Sequence, residues 1–121
     1  YFIEHLISSE KYFLAILSAS RNATLVDSFL QTVRNIKNTG SFSSLNAMIL
    51  SQDYYLVVSE HDNNRIPKNE PDDYYKLSYK SDGNSIMVAS SGWNQTGWIE
   101  IPNHTMLIFN RKTQETDFIS I

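Results

Sequence analysis

Glu60-His61-Asp62 sets a carboxylate, an imidazole and a second carboxylate in consecutive positions, residue types that bind metal ions or pass protons. Consecutive residues on a strand point to opposite faces, so the three can converge only where the strand has ended. The expectation is a solvated loop mouth rather than a metal cluster. Glu70, Asp72 and Asp73 form a second acidic group around Pro71. Paired carboxylates do acid–base work only when burial separates their pKa values, and this run lies in the most polar loop of the chain. A hydrolase using carboxylates from Glu60 to Asp73 is therefore the weakest functional reading. His5 and His104 have no partner visible in sequence and are expected at a surface or an edge. Tyr74, Tyr75, Leu77 and Tyr79 alternate as in a half-buried strand, with tyrosines that pack under helices or stack on a ligand.

Other chemistries are closed by what the 121 residues omit. There is no cysteine, which removes disulfides, thiolate zinc sites and cysteine nucleophiles from this chain. Residue 1 is Tyr1, whereas a nucleophile at a chain's own first residue must be Cys, Ser or Thr. Four glycines, at 40, 83, 92 and 97, make no phosphate-cradling loop, and no nucleophile elbow is present. Neither a cofactor nor a metal is expected. The net charge of −3, with Lys and Arg scattered, argues against a nucleic-acid partner. No apolar run approaches the roughly 20 residues of a membrane span, and Glu4, Glu10 and Lys11 interrupt any signal-peptide pattern. The lack of cysteine leans toward the cytoplasm, and the N-x-T sequons at Asn22, Asn94 and Asn103 are expected to be unused.

The order of elements that must position these residues is helix, helix, then strands, in a single domain spanning 1–121. Tyr12, Phe13, Ile16 and Leu17 recur at helical spacing over Glu10–Ser20, with Ser8 or Ser9 as a cap. Leu25, Val26, Phe29, Leu30, Val33 and Ile36 form one stripe over about Thr24–Lys37. Asp27 near its start and Arg34 and Lys37 near its end suit the helix dipole, and Gly40 is expected to stop it at positive φ. From Ser43 the period changes to two. Strands are expected over Ser43–Leu50, Tyr54–Ser59, Tyr74–Lys80, Asn84–Ser90, Trp98–Ile101, Thr105–Phe109 and near Asp117–Ile121. Ser81-Asp82-Gly83 carries a hairpin turn, and His61 to Asp73 reads as an exposed loop. The fold class is α+β, two helices followed by antiparallel strands, with both helical stripes packed on one sheet face.

Five short blocks, in this order, carry a family resemblance. They are Ser8-Ser9-Glu10 followed by Phe13; Ser44-Leu45-Asn46 opening a strand that ends in Leu50-Ser51; Tyr74-Tyr75 with Leu77 and Tyr79; Val88-Ala89-Ser90; and Trp98 leading to Ile101-Pro102 and Leu107-Ile108. Together they resemble the C-terminal half of class II glutamine amidotransferase domains, the small stand-alone type above all. The resemblance implies a partial four-layer α/β/β/α sandwich of the N-terminal-nucleophile type. It implies hydrolysis of the glutamine side-chain amide by an N-terminal cysteine, an oxyanion hole for the developing charge, and passage of the ammonia to an acceptor. The family's nucleophile, its Arg motif and its Asn-Gly motif belong to a half this chain does not contain. Its glutamine-binding Asp-Ser/Thr-Glu motif falls on Ser8-Ser9-Glu10, which makes Ser8 and Ser9 the expected substrate-binding positions. Serine replaces the aspartate there, and a hydroxyl holds an ammonium group less well than a carboxylate. Ser91 stands where the family commonly has Glu.

The first functional expectation is thus part of a glutamine amidotransferase, inactive alone, binding glutamine once an N-terminal half completes it. Half a sandwich cannot bury its sheets, so an uncovered apolar face is expected, to be closed by a second chain or segment. The alternative is a non-catalytic protein-binding module that uses the tyrosine-rich strands, with Tyr74 and Tyr75 at the contact.

Overall fold

The computed structural model describes residues 9–121. They form α1 (Ser9–Ala19), α2 (Leu25–Thr39), β1 (Ala47–Leu50), β2 (Tyr54–Ser59), β3 (Leu77–Ser81), β4 (Ile86–Ser90), β5 (Ile99–Ile101), β6 (Thr105–Asn110) and β7 (Thr116–Ser120). The α+β class and the helix–helix–strands order agree with the sequence patterns. The chain divides into two compact units, a helical one ending at Phe42 and a sheet unit spanning Ser43–Ser120.

In the helical unit, α2 starts where Thr24 Oγ1 accepts the Asp27 N–H at 3.1 Å, one of the first-turn donors with no partner inside the helix. Phe29, Leu30 and Val33 of its stripe are buried. Tyr12 and Ile16 are buried on α1, and the Tyr12 and Phe29 rings stand 6.3 Å apart. Phe13 and Leu17, expected on the same stripe, are about half exposed instead. Gly40 departs from expectation as well. Its φ is −123°, extended backbone open to any residue, and the helix ends with the Gly40 N–H on the Ile36 carbonyl at 2.8 Å.

The sheet unit holds two antiparallel sheets, one ordered β1-β2-β6-β7 and the other β4-β3-β5. Alternation sends Tyr55, Val57, Leu107 and Phe109 to one face of the first sheet and Leu77, Tyr79, Val88 and Ile101 to one face of the second. These faces meet in one apolar cluster centred on Val57, Leu77, Ile101, Leu107 and Phe109. The turn between β3 and β4 follows the Asp-Gly signal. Gly83 has φ +91°, and the Asp82 carboxylate accepts the N–H groups of Asn84 and Ser85, which holds its pKa below the usual value.

Three strands cannot cover four. The inward side chains of the edge strands β1 and β7 are left open, with Leu50 67% and Phe118 47% exposed. The two sides of the sandwich carry open apolar cavities. One of about 540 Å³ is bordered by Leu50, Tyr55, Ile86, Val88 and Phe109, and one of about 320 Å³ by Tyr79, Ile99 and Phe118. Strand β4 has no charged residue and no proline, the features that usually guard an exposed edge.

The strand boundaries differ from the sequence pattern at one informative place. Tyr74 and Tyr75 alternate with Leu77, yet β3 begins only at Leu77, and the Tyr74 and Lys76 N–H groups close turns on Pro71 and Asp73. The two tyrosine rings meet edge-on at 5.0 Å. Replacing the fully buried Leu107 by alanine is expected to lower unfolding free energy by about 2–5 kcal/mol, read by urea denaturation, because two sheets held apart on either side collapse poorly into the void.

Candidate functional site

The apolar interior of the sandwich turns polar at one end. Along β2 and just past it, the inward positions run Tyr55, Val57, Ser59, His61, and opposite them the chain before β1 contributes Asn46 and Ser44. Pairing continues past the regular ladder in the same register: the Leu45 N–H meets the Glu60 carbonyl at 2.7 Å, and the Asp62 N–H meets that of Ser43 at 2.8 Å. At Asn46 the side chain enters the ladder. Its Oδ1 accepts the Glu60 N–H at 2.8 Å and lies 3.0 Å from His61 Nδ1, while its Nδ2 donates to the Tyr75 carbonyl at 2.7 Å. One carboxamide thus ties the end of the β1–β2 ladder to the loop that leads into β3. The Tyr75 ring stands 5.8 Å from that of His61, and its hydroxyl donates to the Arg65 carbonyl at 3.2 Å.

These ties frame a cavity of about 480 Å³, within the range of small-molecule sites. Ser44 and Asn46 form one wall, Tyr74, Tyr75 and Leu77 a second, and Ser90 to Gly92 a third. The third wall is fastened by the Ser91 hydroxyl, which donates to the Asp73 carbonyl at 2.7 Å. Gly92, at φ +106°, turns the chain out of β4 in a backbone conformation that side chains rarely adopt.

Glu60-His61-Asp62 is not a solvated mouth. Glu60 is 1% exposed and His61 6%. The expected divergence of neighbours is present: the His61 ring turns to Asn46, and Glu60 Oε2 lies 2.7 Å from Nδ1 of His104. His104 is at the surface, as expected, but it has this partner, and it takes φ +64° at the turn into β6. His5 lies outside the described residues. Burial among apolar and neutral groups pushes the His61 pKa below its ordinary value; Glu60 and Glu100 oppose the shift and His104 adds to it. Among the described residues no group of three or more His, Asp or Glu side chains could hold a metal ion.

Of the expected substrate-binding pair, Ser8 lies outside the described residues and Ser9 is the exposed first residue of α1, so the two are not seen side by side. The residues that do converge are Ser44, Asn46, His61 and Tyr75. The sequence names each of them, His61 in its acidic run, Tyr75 as a contact residue, Ser44 and Asn46 in their Ser-Leu-Asn block, but does not join them, because the polar run after Ser59 resembles a solvated loop. Asn103 is likewise engaged: its Oδ1 accepts the His61 N–H and its Nδ2 donates to the His61 carbonyl at 2.8 Å, so a glycan there would break the site's support. Among the described residues no helix is long and apolar enough to cross a membrane. Comparison with protein-family models, with curated proteins and with solved structures gives no match.

Two outcomes test this construction. Asn46→Ala leaves groups of two segments, Glu60-His61 and Tyr75, without this partner and is expected to cost about 1–3 kcal/mol in urea denaturation, with a changed tyrosine near-ultraviolet dichroism from Tyr75. The depressed His61 pKa means that the unfolded chain binds a proton more readily than the folded one. Its contribution is present in full above the ordinary histidine pKa of about 6.5 and is lost as pH falls through the folded value. Denaturation midpoints measured from pH 8 down to about pH 5 are expected to fall, and less steeply in His61→Gln.

Proposed function

We propose that the chain is the C-terminal part of a class II glutamine amidotransferase domain and supplies one wall of its glutamine site. The observation that carries this reading is the convergence of three sequence-distant blocks on one cavity. Ser44 and Asn46 come from the first, Tyr74, Tyr75 and Leu77 from the second, and Ser90 from the third. These are among the blocks on which the family resemblance rests; the second and third meet through the Leu77–Ser90 pair of β3 and β4, and the first reaches them from the other sheet. A second support is the narrower three-stranded sheet, which leaves Leu50 and Phe118 on the edges of the wider one exposed and suits a sandwich that further strands complete as α/β/β/α.

The chemistry divides accordingly. The cysteine thiolate that attacks the amide carbonyl is absent from this chain and belongs to the completing half. What these residues contribute is substrate position: hydroxyls of Ser44, Tyr74 and Ser90 around a small polar ligand, on walls fixed by the Asn46 network. A side chain held at both ends of its carboxamide loses little freedom when the ligand arrives, which favours binding.

The test is the intact mass and activity of the protein from its natural source. A mass above that of these 121 residues, an N-terminal cysteine and ammonia release from L-glutamine are expected, with the isolated 121-residue chain silent in the same assay. A natural protein of only these residues that releases no ammonia, alone or with any chain that copurifies, overturns the reading.

A further inference from the structure

The cavity carries one formal charge, and it is negative. Glu70 lines it, while its other polar groups are the neutral side chains of Ser44, Asn46, Tyr74, Tyr75 and the serines after β4. The loop delivers Glu70 there through a tight turn. Asn69 takes φ +73°, the Glu70 N–H closes on the Pro67 carbonyl at 3.1 Å, and Pro71 stiffens the next step. Glu70, Asp72 and Asp73 are all exposed, but only Glu70 is part of the lining, so the acidic run is not one uniform charged surface. Two nearby cations are paired elsewhere, Arg65 with Asp62 at 3.4 Å and Lys76 with Glu100 at 3.2 Å, and Lys68, two residues before Glu70, is exposed and makes no ion pair with it. Among the described residues no cation pairs with Glu70.

We propose that Glu70 is the ammonium-binding carboxylate of this cavity, and that the cavity takes small primary amines, free α-amino acids among them. An N⁺–H···O⁻ bond is roughly twice as strong as one between neutral partners, so a single carboxylate among hydroxyls sets the preference for a cationic end. The hydroxyls and the Leu77 side of the cavity accommodate the rest of a small polar molecule. For glutamine as the particular amino acid the inference rests on the function proposed above; for the ammonium group it stands on the cavity alone. It gives the chain a carboxylate for the substrate amine, where the family motif at position 8 offers only the hydroxyl of a serine.

The experiment is a titration of the ¹⁵N-labelled chain, followed by amide chemical shifts, with three probes: n-butylamine, L-glutamine and glutaramic acid, which keeps the amide and carboxylate of glutamine but lacks its amine. Butylammonium and glutamine are expected to shift the amides of Ser44, Tyr75 and Ser90 to Gly92, and glutaramic acid to bind about tenfold more weakly or worse. Glu70→Gln is expected to weaken both amines by about tenfold or more with the rest of the spectrum unchanged, and Asp72→Asn to leave binding as it was. Butylammonium binding without glutamine binding supports the Glu70 subsite and overturns its extension to free α-amino acids. Glutamine bound equally by the parent chain and Glu70→Gln overturns the role of Glu70 while the glutamine reading stands. Absence of shifts around the cavity with either amine overturns the proposed subsite.

Discussion

The site depends on one requirement: a backbone N–H and a carbonyl buried at the end of a sandwich must find partners, and Asn46 supplies them. Without its carboxamide, the Glu60 N–H, the His61 ring and the Tyr75 carbonyl would face one another across a gap with nothing to bond. An unmade buried hydrogen bond costs more than a made one contributes, so this single side chain decides whether the loop before β3 can close on the end of the β1–β2 ladder. Asn103 repeats the device on the β6 side by bonding both backbone groups of His61. The imidazole is thus held at its backbone and at its ring, and its neighbourhood favours the neutral form.

The consequence is a division of labour along the inner faces. At one end Val57, Leu107 and Phe109 meet Leu77 and Ile101, and the sheets adhere through removal of apolar area from water. At the other end directional bonds join Asn46 to Glu60, His61 and Tyr75, Ser59 Oγ reaches the Ile101 carbonyl at 3.5 Å, and a cavity remains beside them rather than a collapsed seam. Dispersion and hydrophobic contact close space; hydrogen bonds of fixed length hold it open. A cavity with pinned walls and one carboxylate is what recognition of a small polar molecule needs. The open sides of the sandwich are the other face of the same economy, since three strands can seal only the middle of a four-stranded sheet.

Much of the fold was legible because it rests on local periodicity. The apolar stripe of α2, the change to period two after Ser43 and the Asp-Gly turn at Gly83 all act over a few residues, and all are present in the structure. The strand expected over Ser43–Leu50 is regular only from Ala47, yet its pairing does continue to Ser43 in register. The misreadings share a cause. Tyr74 and Tyr75 alternate like a strand, but Pro71 and Asp73 draw them into turns. Polar residues after Ser59 look solvated, because composition records polarity and not the partner that permits burial.

Composition and order by themselves determined the α+β class and the lack of cysteine among these 121 residues. Tertiary structure alone decided that Glu60 and His61 are buried, that Asn46 and Asn103 are their partners at separations of 14 and 42 residues, and that Ser44, Tyr75 and Ser90 share one cavity. The physical reason is range. Propensity and periodicity are properties of neighbours along the chain, whereas a buried polar group is tolerable only beside a partner that the sheet register brings to it.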